Sequence, residues 1–126
     1  MSQTILIVDD SPTVVKFLAF SLKSKGYQVV SACDGMDALE KLSNLSEDVD
    51  LIITDLNMPN LDGYGLIEAV RQNRQETPII ILSSEEGDAD QQRGLEVGAN
   101  SYLVKPFKPA ILLLEVSKQL NSERMN

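Results

Sequence analysis

Short apolar runs alternate along the chain with longer stretches in which apolar residues recur every three or four positions. The short runs are rich in β-branched residues, which is typical of strands buried on both faces of a parallel sheet. They predict five strands, at Thr4–Val8, Tyr27–Ala32, Leu51–Thr54, Ile79–Leu82 and Ser101–Val104.

The stretches between the strands predict five helices. Ser11-Pro12 opens the first, since serine is a good N-cap and proline suits the first helical position. The fourth, Gly87–Val97, is polar with few apolar positions. The last is predicted from about Pro109 to Leu120, and residues 121–126 are expected to form a frayed tail.

This alternation of strand and helix predicts the fold class. Short strand–helix connections repeated five times indicate a parallel sheet with helices on both faces. The expected fold is α/β, a flavodoxin-like doubly wound five-stranded sheet in the order 2-1-3-4-5 with five helices. Residues 1–126 are expected to form one domain, with an ordered core over about 4–120.

Charge and hydropathy exclude several classes of partner. The formal net charge is −8, with 19 acidic residues against 11 basic ones. A surface of this sign repels phosphate backbones and anionic membranes, so neither nucleic acid nor membrane is an expected partner. The longest apolar runs are too short to span a bilayer, and the amino terminus lacks the pattern of a signal peptide. We therefore expect a cytoplasmic protein.

The absence of histidine and the presence of a single cysteine exclude several kinds of catalytic site, metal site and cross-link. Without histidine, the chain cannot use Ser-His or Cys-His catalysis, a histidine zinc site or its own phosphohistidine. Cys33 alone forms no internal disulfide or cysteine metal cluster, and we expect it to be a small packing residue.

Polar side chains follow four of the five predicted strands. Asp9-Asp10 follow the first strand, Asp55 the third, Ser83 the fourth and Lys105 the fifth. Parallel strands deliver their carboxyl ends to one edge, and the predicted order makes the first and third strands neighbours. Singly, the first two aspartates could cap a helix and Asp55 could be a turn residue. Their shared edge favours a functional site.

Three carboxylates near one another need more positive charge than Lys105 provides. Two carboxylates about 5 Å apart, at an effective dielectric near 20, repel by roughly 3 kcal/mol. Mg²⁺, a hard cation that takes oxygen ligands, is predicted to supply the missing positive charge. Such a site suits phosphoryl transfer, with Asp55 as a nucleophile that forms an aspartyl phosphate.

Three motifs in order give the chain a resemblance to a known family. They are Ile5–Ser11, then Asp55–Pro59 with Asp62-Gly63, and Tyr102–Phe107. Over nearly its whole length the chain resembles the receiver domain of two-component response regulators, most closely stand-alone receivers of the chemotaxis type. The order 2-1-3-4-5 is also known for that family, so it is not an independent deduction.

The resemblance implies a role for each residue at the predicted edge. Asp55 would accept the phosphoryl group. Asp10, Asp55 and the backbone carbonyl of Asn57 would coordinate Mg²⁺, with Mn²⁺ as a substitute, and Asp9 would act largely through water. Lys105 would bridge to the phosphoryl oxygens.

The resemblance also implies switch residues around the acceptor. The Ser83 hydroxyl would turn toward the phosphate on activation, and Tyr102 would then turn inward, although a half-buried strand tyrosine is the alternative for that residue. Asn57 and Glu85 occupy the positions that tune phosphate lifetime in this family. The bond that precedes Pro106 is typically cis there.

The implied function is a phosphorylation-activated switch of a two-component phosphorelay, and not a turnover enzyme. The phosphoryl group would come from a sensor histidine kinase or a histidine phosphotransfer domain. A downstream protein would bind through the fourth helix, fifth strand and fifth helix. The expected state is a monomer, with a weak or phosphorylation-dependent dimer as the alternative.

Three alternatives stay open. An aspartyl-phosphate phosphatase of the haloacid-dehalogenase type needs an acid two residues after its nucleophile, where this chain has Asn57. A flavin-binding module needs a glycine- and hydroxyl-rich loop after the first strand, where this chain has Asp9-Asp10. The chain could also be a receiver excised from a larger regulator, against which the Met1 start argues mildly.

Overall fold

The computed structural model describes residues 3–44, 49–74 and 76–124, along which five strands alternate with five helices. The strands are Thr4–Val8 (β1), Gln28–Ala32 (β2), Leu51–Thr54 (β3), Ile79–Ser83 (β4) and Ser101–Val104 (β5). The helices are Pro12–Lys23 (α1), Gly35–Asn44 (α2), Gly63–Asn73 (α3), Asp88–Val97 (α4) and Pro109–Arg124 (α5).

The strands form one parallel sheet in the order β2-β1-β3-β4-β5, so the predicted fold class is confirmed. Val8, the last residue of β1, is in register with Ala32 of β2 and Thr54 of β3. Ser83 of β4 pairs in the same way with Val104 of β5. Thr54 at the end of β3 is in register with Ile81, so β4 and β5 extend two residues further than β1, β2 and β3. All five strands point the same way, and the residues that follow them meet at one edge.

Alternate residues of the central strands point into two separate hydrophobic layers. Leu6 and Val8 of β1 pack in the layer under α2 and α3, whereas Ile5 and Ile7 pack in the layer under α1 and α5. Nearly every residue of β1, β3 and β4 is buried. This burial on both faces explains why these strands read as continuous apolar runs.

Several element boundaries differ from the prediction. Tyr27 does not begin β2, because its N–H bonds to the Leu22 carbonyl at the end of α1. The largest difference is in α5, which continues beyond the predicted end at about Leu120 to Arg124, so residues 121–124 are helical. Leu120 is buried and no glycine or proline follows it to end the helix. Residues 125 and 126 lie outside the described chain.

Two other sequence interpretations are decided by the structure. Cys33 lies just past the end of β2 and is exposed to solvent. The prediction that it is a packing residue is therefore wrong. Within residues 3–44, 49–74 and 76–124, no helix combines the length and the apolar character needed to cross a membrane.

Candidate functional site

The two aspartates after β1 differ in exposure. Asp9 is 3% exposed, and its N–H donates to the Ala32 carbonyl at 3.1 Å, which carries the strand pairing one residue beyond β1. One carboxylate oxygen of Asp9 accepts the Ser11 N–H at 2.9 Å, while Asp10 is exposed. The helix cap that either aspartate could have supplied is formed by Ser11, whose hydroxyl accepts the Val14 N–H at 3.4 Å.

Asp55 lies directly beyond β3, next to these aspartates. Its N–H donates to the Val8 carbonyl at 2.9 Å, which ties it to the end of β1. Its Oδ1 accepts the Leu56 N–H at 2.8 Å. One carboxylate oxygen from each of Asp9, Asp10 and Asp55 lies within 4.8 Å of the other two, so the predicted cluster forms.

Lys105 enters this cluster from β5. Its N–H donates to the Ser83 carbonyl at 2.8 Å, and its bond to Pro106 is cis, as the family resemblance implies. The Lys105 ammonium lies 3.3 Å from Asp9 Oδ2 and 3.6 Å from Asp55 Oδ2. One cation is therefore shared between two carboxylates.

The charges of the cluster are unbalanced. Burial raises the pKa of the Asp55 carboxyl from its ordinary value, because desolvation outweighs the opposing attraction of Lys105. The nearby Asp9 charge acts in the same direction as burial. Three closely spaced carboxylates with oxygen as their only donor atom are the ligand set that suits Mg²⁺. The residues present therefore fit this ion.

A second group of predicted residues lies beside the cluster and centres on Glu85. The fully buried Ser83 accepts the Glu85 N–H on its Oγ at 3.0 Å, and the Tyr102 hydroxyl donates to the Glu85 carbonyl at 2.7 Å. The Asn57 amide donates to the Glu85 carboxylate at 3.2 Å. All eight predicted residues are thus found in two adjoining groups at the carboxyl edge.

Two contacts around the site involve residues outside the predicted set of site residues. The guanidinium of Arg93 on α4 lies 3.9 Å from the ring centroid of Tyr64 on α3. The Asn60 amide donates to Asp34 Oδ2 at 2.7 Å, which joins the turn before α2 to the loop after β3. The Asp34-Gly35 pair indicates a turn in the sequence, but nothing in the sequence indicates that Asn60 is the hydrogen-bond partner of Asp34.

A protein-family model, described as "Response regulator receiver domain", matches residues 5–117 of the chain. The chain belongs to the response regulator receiver family. The recognised family is thus confirmed. Receiver domains of two-component systems act in general as phosphorylation switches that bind histidine kinases and downstream targets, and they typically bind Mg²⁺ through acidic residues.

Curated relatives of this receiver domain are longer than the chain. The alkaline phosphatase synthesis transcriptional regulatory protein PhoP of Bacillus subtilis is 39% identical over 109 residues, which cover 86% of this chain and 45% of PhoP. The response regulator GtcR of Aneurinibacillus migulanus is 38% identical over 120 residues, 95% of this chain and 48% of GtcR. The chain spans about half the length of these relatives.

Solved structures similar to this receiver domain match it over nearly their full length. The chemotaxis protein CheY4 of Vibrio cholerae is 37% identical with a TM-score of 0.88, covering 95% of this chain and 100% of CheY4. A CheY-like receiver domain protein of Methanospirillum hungatei is 26% identical with a TM-score of 0.92, covering 99% and 98%. These structures have the flavodoxin-like fold found here.

Proposed function

We propose that this receiver domain is a switch in which Asp55 accepts a phosphoryl group from a phosphohistidine on a partner protein. The observation that carries the proposal is the meeting of three aspartates within 4.8 Å and the Lys105 ammonium 3.6 Å from Asp55 Oδ2. The chain contains no histidine, so the phosphohistidine belongs to a sensor histidine kinase or a histidine phosphotransfer domain.

The proposed step is a displacement at phosphorus. A carboxylate oxygen of Asp55 forms the new P–O bond as the P–N bond to the partner's imidazole breaks, and the imidazole nitrogen keeps the bonding electron pair. Lys105 favours the ionised Asp55 and lies where it can contact phosphoryl oxygens. Because the other ring nitrogen of the phosphohistidine carries a proton, the leaving group is a neutral imidazole, and the products are an aspartyl phosphate and a neutral histidine.

The proposed Mg²⁺ ligands are the carboxylates of Asp10 and Asp55 and the backbone carbonyl of Asn57, with Asp9 acting through water. When bound, the ion supplies the positive charge that Lys105 alone does not provide, and it stabilises the charge of the transferring phosphoryl group. Mn²⁺ accepts the same oxygen ligands and is the expected substitute.

The proposed output follows from the group around Glu85. In this structure Ser83 Oγ is bonded to the Glu85 N–H and Tyr102 to the Glu85 carbonyl. We propose that Ser83 turns to the phosphoryl group after phosphorylation, that Tyr102 adjusts with it, and that α4, β5 and α5 then present a changed surface to a downstream protein. Asn57 and Glu85, which contact each other, would tune the lifetime of the phosphate.

Further features of the proposal rest on the relatives. The similarity to the chemotaxis protein CheY4 favours a regulator of the chemotaxis type. The proposal keeps the expectations that this regulator is monomeric and cytoplasmic and does not turn over a substrate. The greater length of PhoP and GtcR favours a receiver within a larger regulator. The stand-alone form therefore stays a prediction, as does the alternative of a weak or phosphorylation-dependent dimer.

Labelling with acetyl phosphate and Mg²⁺ tests the proposal. We expect one phosphoryl group per chain, stable in acid and labile in base, and its loss in Asp55→Asn. Asp88→Asn, which changes an exposed aspartate of α4, is the matched control and should label normally. Unchanged labelling of Asp55→Asn would remove Asp55 from its role. Steady turnover of a free phosphoester would instead indicate the phosphatase alternative.

A further inference from the structure

The loop between β3 and α3 carries Asn57. The backbone of this loop is fixed by hydrogen bonds from the first turn of α2, a separate element. Asp34, the residue before α2, is 7% exposed and uses both carboxylate oxygens. Its Oδ1 accepts the Asp37 N–H at 2.8 Å, which caps the helix. Its Oδ2 accepts the Asn60 amide at 2.7 Å. One carboxylate thus joins the start of α2 to the β3–α3 loop.

Gly35 supplies a second contact to the same loop. Its N–H donates to the Leu61 carbonyl at 3.2 Å. A Cβ added to Gly35 would lie 2.5 Å from that carbonyl oxygen and 2.9 Å from the Leu61 Cβ. The two backbones therefore approach so closely that only glycine fits without a shift of one of them. We call the contacts Asp34–Asn60 and Gly35–Leu61 the α2 clamp.

The α2 clamp holds the part of the loop that β3 and α3 do not. At the far end, the Gly63 N–H donates to the Leu56 carbonyl at 2.9 Å, and Gly63 packs against the Asp55 carbonyl. Asn60 lies between, with a φ of 68°, a left-handed conformation that asparagine tolerates better than most residues. Side-chain packing against the core holds this loop at Met58 and Leu61, but not at Asn57 and Asn60, which are exposed.

The orientation of a backbone carbonyl depends on the path of the chain on both sides of it. The Asn57 carbonyl lies between Asp55, which is bonded to β1, and Asn60, which is bonded to Asp34. We propose that Asp34, Gly35 and Asn60 are positioning residues that preorganise the Asn57 carbonyl for Mg²⁺, an inference that rests on the proposed function. Groups that orient a metal ligand without touching the metal commonly change metal affinity by about 10- to 100-fold.

Two substitutions break the α2 clamp in different ways. Gly35→Ala places a methyl group against the Leu61 carbonyl. Asn60→Gly removes the amide that reaches Asp34 but keeps a residue that accepts positive φ and leaves the charge unchanged. Gly65→Ala is the matched control. Its Cβ would come closest to the flexible end of the same Leu61 side chain, the Cδ1 at 2.6 Å, and would lie at an ordinary contact distance of 3.4 Å from the Asp62 Oδ1, while alanine favours the helix.

Calorimetric titration with Mg²⁺ and hydrogen exchange of the metal-free proteins test the inference together. We expect both clamp variants to bind Mg²⁺ about tenfold more weakly than the parent. We also expect amides of residues 57–62 to exchange faster while those of β1 keep their protection. Gly65→Ala should match the parent in both measurements.

The outcomes separate this inference from the proposed function. If the parent binds Mg²⁺ and both clamp variants bind it equally well, the positioning role is wrong. Equal weakening in Gly65→Ala would also overturn it, since any change near Leu61 would then suffice. If the parent itself binds no Mg²⁺, the metal site of the proposed function fails instead.

Discussion

At the amino-terminal edge of the sheet, the charged side chain of Arg71 has a hydrogen-bond partner for each of its N–H groups. At the carboxyl edge, by contrast, a cluster of three carboxylates has one lysine, which pairs with two of them. The Arg71 guanidinium on α3 makes five hydrogen bonds of 2.7–2.9 Å. Their acceptors are the carbonyls of Gly98, Arg74 and Thr77 and the side chain of Asn100. We call these contacts the Arg71 network.

The difference separates a stabilising use of charge from a functional one. The Arg71 network joins the ends of α3 and α4 to the start of β4, because Asn100 Oδ1 also accepts the Ile79 N–H at 2.9 Å. A half-buried charge with every donor satisfied stabilises the fold. The carboxyl edge instead keeps a desolvated Asp55 carboxylate beside Asp9, and because Lys105 offsets this cost only in part, an added cation would stabilise the edge further. Five predictions break or sharpen this contrast.

The largest expected effect comes from removing the Arg71 network. Arg71→Met leaves several partly buried carbonyls without their donor and should lower the free energy of unfolding by about 3 kcal/mol, measured by urea denaturation. Arg93→Met is the control, since Arg93 stacks on Tyr64 at 3.9 Å and should cost at most about 1 kcal/mol. Equal losses in the two variants would mean that the Arg71 network has no special weight. Folded Arg71→Met should still be labelled by acetyl phosphate and Mg²⁺.

The next effect comes from adding the cation that the carboxyl edge lacks. Mg²⁺ at 100 times its dissociation constant should stabilise the parent by about 2.7 kcal/mol through mass action. The gain should disappear on chelation and should fall sharply in Asp10→Asn, which removes the exposed carboxylate of the cluster that is the proposed ligand. Thermal melts with and without Mg²⁺ measure it. Equal stabilisation of parent and Asp10→Asn would place the ion elsewhere.

A smaller effect is expected from removing one charge of the cluster. Without metal, Asp55→Asn should raise the free energy of unfolding by about 1 kcal/mol, because the desolvation cost of the Asp55 carboxylate outweighs the attraction of Lys105. A less stable variant would contradict this balance. Asp88→Asn again serves as the control, with an exposed site and little expected change.

The stabilisation by Asp55→Asn should depend on pH in one direction. The folded-state pKa of Asp55 is raised above its ordinary value of 3.8, so the folded protein binds this proton more tightly than the unfolded one. The contribution of Asp55 to stability is therefore full below the unfolded pKa and is lost as pH rises through the folded pKa. The advantage of Asp55→Asn should appear at neutral pH and vanish below about pH 4. An advantage independent of pH would contradict the raised pKa.

The sheet and the acidic cluster were both predictable from the chain. Strands buried on two faces leave continuous apolar runs, and parallel strands bring the residues after them to one edge, so Asp9, Asp55 and Lys105 could be placed together. The end of α5 was not predictable in this way, because Asn121 neither stops nor strongly favours a helix.

Contacts between loops were outside the reach of the sequence pattern. Asn60 and Asp34 are 26 residues apart, and their meeting depends on the left-handed backbone of Asn60. Tyr64 and Arg93 lie on different helices whose relative placement sets their distance. No periodicity encodes such a pairing, since strand and helix patterns report which face is buried but not which loop residues face each other.

The smallest expected effect compares one neutral hydrogen bond at the carboxyl edge with the five of the Arg71 network. Tyr102→Phe removes the hydroxyl that donates to the Glu85 carbonyl at 2.7 Å but keeps the ring, which packs beside Gly94. Because Glu85 is exposed, water can replace the lost donor, and the cost should be about 0.5 kcal/mol by urea denaturation. Tyr27→Phe is the matched control, a partly buried tyrosine packed against the layer of α1 and α5, and should cost less. A loss near that of Arg71→Met would mean that the carboxyl edge is held as firmly as the amino edge, and the contrast between the two would fail.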